Sequence, residues 1–514
     1  MVDTLKIKYN KQMKENVSHI LSKKVFSNQK IRLIERSAII EKKGNDLSLM
    51  KKAARFSWDE IRKKYPSSKK WLILCGIGNN AGDGMALASI ALKSNINVKI
   101  YYFFPGKIFT GCVAEIQSEL ESLASQKTLK IIDHLNDSIL DDSDLIIDAI
   151  FGIGINRPID NSKKSKINLV NNQDAPIVSL DIPSGVHPDS GQIMGVAIKA
   201  TMTITFISRK LCFYFGEGKN LSGEIKCSHL DISQRHFSRV TEDMKIISKS
   251  YTKKKLLRRK SDTHKGDYGH VLIVGGGPGM HGAALLSGES SLRGGAGKVS
   301  IFMHESHRSL INKARPELMV IFSNEGINIE SILSKVDVVA IGPGLGLDDW
   351  ARSVFNCVIK SNKPLVVDAD ALNILSEKNL KRDDWVLTPH PGEAATLLSK
   401  SSLEIQENRF LSLDKLKDNY GGTIVLKGNN TLIGNEDYVT NICTQGNPGM
   451  ASAGMGDVLT GLIAAMMSQG FSQFEAASIG VEVHARAGDL AARRGERGLI
   501  AGDVINEIRG CVNR

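Results

Sequence analysis

The chain has 514 residues, more than one ordinary hydrophobic core holds, so two domains are expected. With 42% hydrophobic and 24% charged residues it has the composition of a soluble globular protein, and its net charge of +12 suits anionic partners such as nucleotides without selecting among them. Aromatic residues make up only 6% and do not interleave with the basic ones, which argues against a nucleic-acid partner.

No apolar run approaches the roughly 18 residues that a membrane span needs. The amino terminus, MVDTLKIKYNKQMKENVSHILSKK, is basic but lacks the continuous apolar stretch of a secretory leader. Seven cysteines, an odd number with no CxxC pair, fit reduced thiols and a cytoplasmic location. The 12 histidines show no HExxH or similar spacing, so a catalytic transition metal is not expected.

The first clear element is WLILCGIGNNAGDGMALASIALKS (71–94), a buried strand, a glycine-rich turn and a helix, and NVKIYYFF (97–104) supplies the next strand. DLIIDAIFGIGINRP (144–158), APIVSLDIPSGV (175–186), MTITFISRK and GEIKCSHLDIS continue the alternation. This predicts a Rossmann-like, doubly wound parallel sheet with ligands at the carboxyl ends of its strands. The polar, basic stretch 238–263 carries the change of domain. A second strand, turn and helix follow in GHVLIVGGGPGMHGAALLSGESSLRGGAGKVSIF (269–302), with further strands at VDVVAIGPGLG, KPLVVDADALN, DWVLTPHPGE and GTIVLKGNNTLI. The expected domains are 1–240 and 241–514.

In the first half, Asn79, Asn80 and Asp83 stand among glycines at a strand end. They offer oxygens to a ribose, a carboxamide or an alkali cation, and Asp148 and Ser184 add more from neighbouring strand ends. Asp181 in DIPSG is either a general base or the cap of a Pro-Ser-Gly turn. Taken together, GNNAGDG, DAIFGIGINRP, DIPSG and LSLM (47–50) resemble the NAD(P)H-hydrate epimerases, which interconvert the R and S forms of hydrated NAD(P)H. By that resemblance the hydrate is contacted by Asn79, Asn80, Ala81, Gly82 and Asp83, by Gly152, Ile153, Gly154, Ile155, Asn156, Arg157 and Pro158, and by Asp181, the candidate catalytic base. Asn80, Asp148 and Ser184 would hold a potassium ion. Ala81 stands where the family commonly has glycine, and LMKKAA replaces the commoner acidic-basic pair after LM.

In the second half, NPGMASAGMGD (447–457) runs straight into the apolar VLTGLIAAMM. A glycine-rich turn opening a helix presents free N–H groups and the positive end of the helix dipole, so Asp457 is either a cap or a base beside a bound anion. GPGLG alone reads as a loop, and Asp368 and Asp370 as a strand-end network. Seven motifs, HKGDYGHVLIVGG, ARPELMV, GPGLG, DADALN, TPHPGE, LKGNNT and NPGMASAGMGD, together resemble the ADP- or ATP-dependent NAD(P)H-hydrate dehydratases over essentially 250–514.

That resemblance implies a ribokinase-like α/β domain. Asp457 would be the catalytic base, and the N–H groups of Ala453 to Gly456 an anion hole for the transferred phosphoryl. Ala283, Gly344, His390 and Asp457 would contact the hydrate. Lys427, Gly428, Asn429, Asn430, Thr431 and Gly456 would hold the nucleotide. A magnesium ion would accompany the ADP or ATP. The expected whole is a bifunctional metabolite-repair enzyme acting on the hydrates NADHX and NADPHX, a cytoplasmic homo-oligomer with no nucleic-acid or membrane partner. The competing readings are a small-molecule kinase for the second half and a non-catalytic binding module for the first.

Overall fold

The structure is a computed structural model that describes residues 21–41, 46–124, 129–309, 315–323 and 328–513. The first 20 residues, on which part of the leader argument rests, and Ala314 of ARPELMV lie outside the described residues. The chain divides into two compact units, Met1–Asp243 and Met244–Arg514.

The first unit is built on seven parallel strands: β1 (Lys70–Cys75), β2 (Asn97–Tyr102), β3 (Leu129–Ile132), β4 (Leu145–Ala149), β5 (Ile177–Leu180), β6 (Met202–Phe206) and β7 (Glu224–Ser228). Their spatial order is β3-β2-β1-β4-β5-β6-β7. Strand residues alternate between two apolar layers. Trp71, Ile73 and Cys75 of β1 face one, and Leu72 and Leu74 face the other, as period-2 geometry requires of a sheet covered on both sides. The order reverses between β1 and β4, and a doubly wound sheet binds ligands at such a switch point.

Three helices frame that point: α1 (Asn28–Glu41), α2 (Leu47–Lys64) and α3 (Asn79–Lys93). The last starts directly after β1 and lies close on β4, because a side chain at Gly84 would stand 2.6 Å from the Ala149 Cβ. Close packing here holds 79–83 against the loop that follows β4.

Among the described residues the second unit has ten strands: β8 (Met244–Ile247), β9 (His270–Val274), β10 (Lys298–Met303), β11 (Met319–Phe322), β12 (Val338–Ile341), β13 (Leu365–Val367), β14 (Trp385–Leu387), β15 (Thr423–Leu426), β16 (Thr431–Gly434) and β17 (Thr440–Cys443). They lie in the order β11-β10-β9-β12-β13-β14-β15-β16-β17-β8. Pairing is parallel from β11 to β15, then antiparallel for β15 with β16 and β16 with β17. The sequence segment GTIVLKGNNTLI, expected as one strand, is therefore a hairpin. Gly428 at φ +137° and Asn430 at φ +61° turn the chain where an extended run cannot continue. Strand β8 was also not foreseen, since its MKII sits inside the basic stretch assigned to the change of domain.

Helices α4 (His281–Gly294), α5 (Pro391–Leu398), α6 (Met455–Ser468) and α7 (Gln473–Ala491) carry or support the motifs of this unit. Helix α6 is apolar nearly all round and buried from Val458 to Met467, so it belongs to the core and its first turn is fixed by everything packed around it. Three serines of α4 bind it directly: Ser287, Ser290 and Ser291 donate to the carbonyls of Asp457, Val458 and Gly461 at 2.6, 2.5 and 2.8 Å.

Candidate active sites

In the first unit a cavity of about 930 Å³ opens at the switch point. Of the implied hydrate contacts, Asn79, Asn80, Asp83, Asp181 and the whole stretch Gly152 to Pro158 line it. Ala81 and Gly82 do not. They belong to the buried face of α3, where the Ala81 methyl is in the apolar core and Gly82 lies against the Met50 thioether. Because successive residues of a helix point about 100° apart, a run of five cannot all face one ligand.

Asp181 follows β5 in left-handed backbone geometry, φ +68°, which costs a non-glycine residue about 1–3 kcal/mol and is found where a site requires it. Its carboxylate accepts from the Ile153 N–H at 3.1 Å, which ties it to the 152–158 loop. The other oxygen is ion-paired with Lys210, whose ammonium is 1% exposed and also donates to the Thr205 hydroxyl and to the Phe206 carbonyl at 2.8 Å. All three ammonium protons are thereby used. Burial, followed by repulsion from Asp181 and Glu35, pushes the Asp83 acid well above its ordinary range.

Behind the cavity wall lies a second group of oxygens. Asp148, fully buried, accepts from the Ser179 hydroxyl at 2.7 Å, the Ser184 N–H at 2.9 Å and the Ser184 hydroxyl at 2.6 Å. Burial raises its acid above the ordinary range although these hydrogen bonds oppose the shift. The Ser184 hydroxyl also meets the Phe151 carbonyl at 3.1 Å, and the neighbouring Gly152 abuts the Asn80 side chain. Both polar atoms of the Asn80 carboxamide are buried with no hydrogen-bond partner among the described residues. A buried carboxylate, a hydroxyl, a carbonyl and an orphaned carboxamide are oxygen donors suited to a hard monovalent cation.

In the second unit the motifs gather at the carboxyl ends of β9 and β12 to β15. The α6 helix begins at Gly454, φ +86°, and Asp457 is in its first turn. Lys427, just after β15, is ion-paired with Asp368 at 2.7 Å and lies 3.6 Å from Glu393. A side chain on Gly456 would stand 3.3 Å from the Lys427 ammonium, so this charge sits directly under the helix start. The Thr460 hydroxyl, one turn further along, donates to the second Asp368 oxygen at 2.7 Å.

Burial alone would raise the Asp368 acid, but Lys427 outweighs it and holds the carboxyl below its usual range. Asp457 forms no ion pair among the described residues, and Lys427 lowers its acid less than Asp368 raises it. Burial, then the charge of Asp368, pushes it up to about 6. Two acids in one site are thus driven apart, one kept ionised and one poised to exchange a proton near neutrality.

The remaining implied contacts surround this pair. Gly344, φ +56°, leaves room for the start of α4, where an added side chain would meet the Met280 carbonyl at 2.6 Å and the Ala283 Cβ at 3.1 Å. Asp370 accepts from the Gly346 N–H at 2.8 Å and so fixes the 342–346 loop. His390 caps α5, its Nδ1 accepting from the N–H groups of Gly392 and Glu393 at 3.0 and 3.2 Å, while the ring remains half exposed. Gly428 to Thr431 form the β15–β16 turn. Arg409, 6% exposed, clamps that turn by donating to the carbonyls of Lys427, Leu426 and Asn430 at 3.1–3.2 Å.

Two family models match the chain: one described as YjeF-related protein N-terminus over residues 46–212, and one described as NAD(P)H-hydrate dehydratase over 271–509. The bifunctional NAD(P)H-hydrate repair enzyme of Coxiella burnetii is 36% identical over 490 residues, covering 95% of this chain and 99% of its own. The chain belongs to the bifunctional NAD(P)H-hydrate repair enzymes. The Escherichia coli enzyme of the same description is 37% identical over 472 residues, 90% of this chain and 89% of its own. A ribokinase-like superfamily protein from Enterococcus faecalis is also similar, at 28% identity and a TM-score of 0.49 over 53% of this chain and 96% of its own.

Each half of this repair enzyme contains polar groups that sequence reasoning passed over. Lys210 was read only as the end of a strand, and its partner Asp181 lies 29 residues away with no local pattern to pair them. Glu393 was quoted only within TPHPGE, yet it completes the α5 capping box and faces Lys427. Arg409 lies 18 residues before Lys427 on a separate helix, and no local pattern announces what it clamps.

Proposed function

We propose that the two halves act in succession on one damaged cofactor, through the residues gathered at the two strand-end sites. The epimerase half interconverts the R and S hydrates of NADH and NADPH in the 930 Å³ cavity, with Asp181 exchanging protons beside the hydrate's ring. Asn79, Asn80, Asp83 and Gly152 to Pro158 would hold the hydrate. A potassium ion held by Asn80, Asp148 and Ser184 would neutralise the buried carboxylate and stiffen the loop after β4. The orphaned Asn80 carboxamide supports that assignment.

The dehydratase half returns the S hydrate to NAD(P)H. Asp457 takes the proton of the C6 hydroxyl as its oxygen attacks the terminal phosphorus of ADP or ATP, and the leaving group is AMP or ADP. Loss of phosphate from C6 and of a proton from C5 then restores the ring double bond. The N–H groups at the start of α6 receive the moving phosphoryl, and a magnesium ion bound with the nucleotide would offset the charge of its phosphates. Gly428 to Thr431, held by Arg409, form the nucleotide's seat, while Lys427 supplies positive charge under the helix start and keeps Asp368 ionised. Ala283, Gly344 and His390 border the hydrate.

The observation that carries this reading is the split between Asp368, ionised by Lys427, and Asp457, raised to about 6 at a helix start open to anions. Among the described residues no helix is long and apolar enough to cross a membrane, and all seven cysteines are free thiols. Both suit a cytoplasmic enzyme, which we expect to assemble as a homo-oligomer without nucleic acid.

The test is nucleotide-dependent conversion of purified S-NADHX, with ADP and ATP compared, by wild type and Asp457→Asn. Conversion by the wild type with a loss of at least about a hundredfold in the variant supports the assignment. A variant that converts at the wild-type rate removes Asp457 from the mechanism.

A further inference from the structure

Helix α1 lies before residue 46, where the matched family region begins. Its buried positions are Ile31, Ile34 and Ala38, the i, i+3, i+7 stripe of a helix packed on a core. Glu35, four residues after Ile31, falls on that same stripe. An acid there forfeits water for no apolar gain, so its presence needs a purpose.

Glu35 lines the epimerase cavity together with Asp83 and Asp181. No hydrogen bond or ion pair joins its carboxyl to another described residue, whereas Asp181 is committed to Lys210 and Ile153. The helix is also anchored to the site. Asn28 donates through its side chain to the Ile153 carbonyl at 2.9 Å, its N–H meets Asp189 at 2.7 Å, and Arg32 reaches the Ile153 carbonyl at 3.3 Å. Helix α1 is therefore a wall of the cavity, docked on the loop that Asp181 also grips.

We propose that Glu35 is the proton donor that works against Asp181 in epimerisation, a role that rests on the epimerase reading above. A protonated Glu35 gives its proton to the C6 hydroxyl. The C6–O bond breaks, the bonding pair leaves with water, and the lone pair of ring nitrogen N1 forms a C6=N1 iminium. Water adds to the opposite face of C6 and loses its proton to Asp181. The reverse reaction starts with the two protonation states exchanged, so one acid pair serves both directions and no other reactant is consumed.

The electrostatics agree with this geometry. Burial, then the charges of Asp181 and Asp46, raise the Glu35 acid, against the smaller influence of Lys210 and Arg32. The groups facing it from the other elements are thus Asp46 beside α2, Asp83 on α3, Asp181 after β5 and Lys210 near β6, with Arg32 on its own helix. With Lys210 the one buried cation in the set, burial and mutual repulsion raise both the Glu35 and the Asp83 acids.

The experiment measures R-to-S interconversion of NADHX without nucleotide, by chromatographic separation of the epimers, for the full-length wild type, Glu35→Gln, Glu35→Asp and Asp83→Asn, each corrected for the buffer blank. Glu35→Gln is expected to lower the epimerisation kcat by about 10²–10⁴-fold with KM changed only a few-fold, and Glu35→Asp to recover part of it. The alkaline fall of the wild-type rate, as the donor loses its proton, is expected to vanish in Glu35→Gln. ADP-dependent dehydration of S-NADHX by the same samples is expected to be unchanged, and a thermal unfolding transition of the first unit within a few degrees of wild type excludes a folding defect there. Epimerisation by Glu35→Gln within about threefold of wild type overturns the proposal. So does disappearance of the alkaline limb in Asp83→Asn instead. If the wild type itself fails to interconvert the epimers above the blank, the epimerase reading falls and the role of Glu35 with it.

Discussion

Replacing Asp457 by asparagine is expected to remove activity and add stability, and the two effects share one cause. Burial and the neighbouring Asp368 raise its acid from an ordinary 3.8 to about 6. At about 1.4 kcal/mol per tenfold change in acidity, keeping it charged in the folded chain costs on the order of 3 kcal/mol. Above about pH 6 the acid is ionised in both folded and unfolded chains, and the full cost is present. Between about pH 6 and pH 4 the folded chain retains the proton while the unfolded chain gives it up, so the cost fades. Below about pH 4 it is gone.

Asparagine carries no charge at any pH. Asp457→Asn is therefore expected to melt higher than wild type at pH 8, by roughly 6–12 °C for a unit of this size, and to melt with it near pH 4. Scanning calorimetry of the full-length chain without nucleotide reads this. In parallel, the wild-type dehydration rate is expected to fall as pH drops through about 6. A variant less stable than wild type at pH 8, or a gain of equal size at both pH values, would refute the reasoning and leave Asp457 as an ordinary helix cap.

Lys210→Met leaves the Asp181 charge without its partner. It is expected to cost about 3–5 kcal/mol in urea unfolding and to abolish epimerisation, while nucleotide-dependent dehydration of S-NADHX survives under native conditions. Arg409→Met frees the β15–β16 turn from its three carbonyl anchors, and steady-state kinetics should show the nucleotide KM raised about tenfold with the hydrate KM nearly unchanged. Exchanging potassium for tetramethylammonium, which is too large for the Asn80, Asp148 and Ser184 site, is expected to slow nucleotide-free epimerisation several-fold. Asn80→Leu should abolish that cation dependence.

Much of the architecture was legible because strands buried on both faces write continuous apolar runs, and WLILC, LIIDA and HVLIV are such runs. The glycine-rich turns after them marked the strand ends where both sites lie. What was not legible is contact between distant segments. Lys210 and Asp181 are 29 residues apart in sequence, and Thr460 reaches Asp368 across 92. Motif reading also assigns whole stretches to a ligand, whereas a helix presents only one side of itself. Asn79, Asn80 and Asp83 face the cavity while Ala81 and Gly82 pack the core. The antiparallel β15–β16 hairpin escaped because LKGNNT reads as a loop only once the left-handed Asn430 is known.

If both halves work on the same damaged cofactor, blocking either one leaves a different part of it unrepaired. The most direct measurement is recovery of the reduced-nicotinamide absorbance from a mixture of R- and S-NADHX, for wild type, Asp181→Asn and Asp457→Asn, with ADP or ATP present. Complete recovery is expected for the wild type, recovery that halts once the S fraction is consumed for Asp181→Asn, and none for Asp457→Asn. Recovery that halts at the S fraction in the wild type as well, or that proceeds to completion in Asp181→Asn, would contradict it.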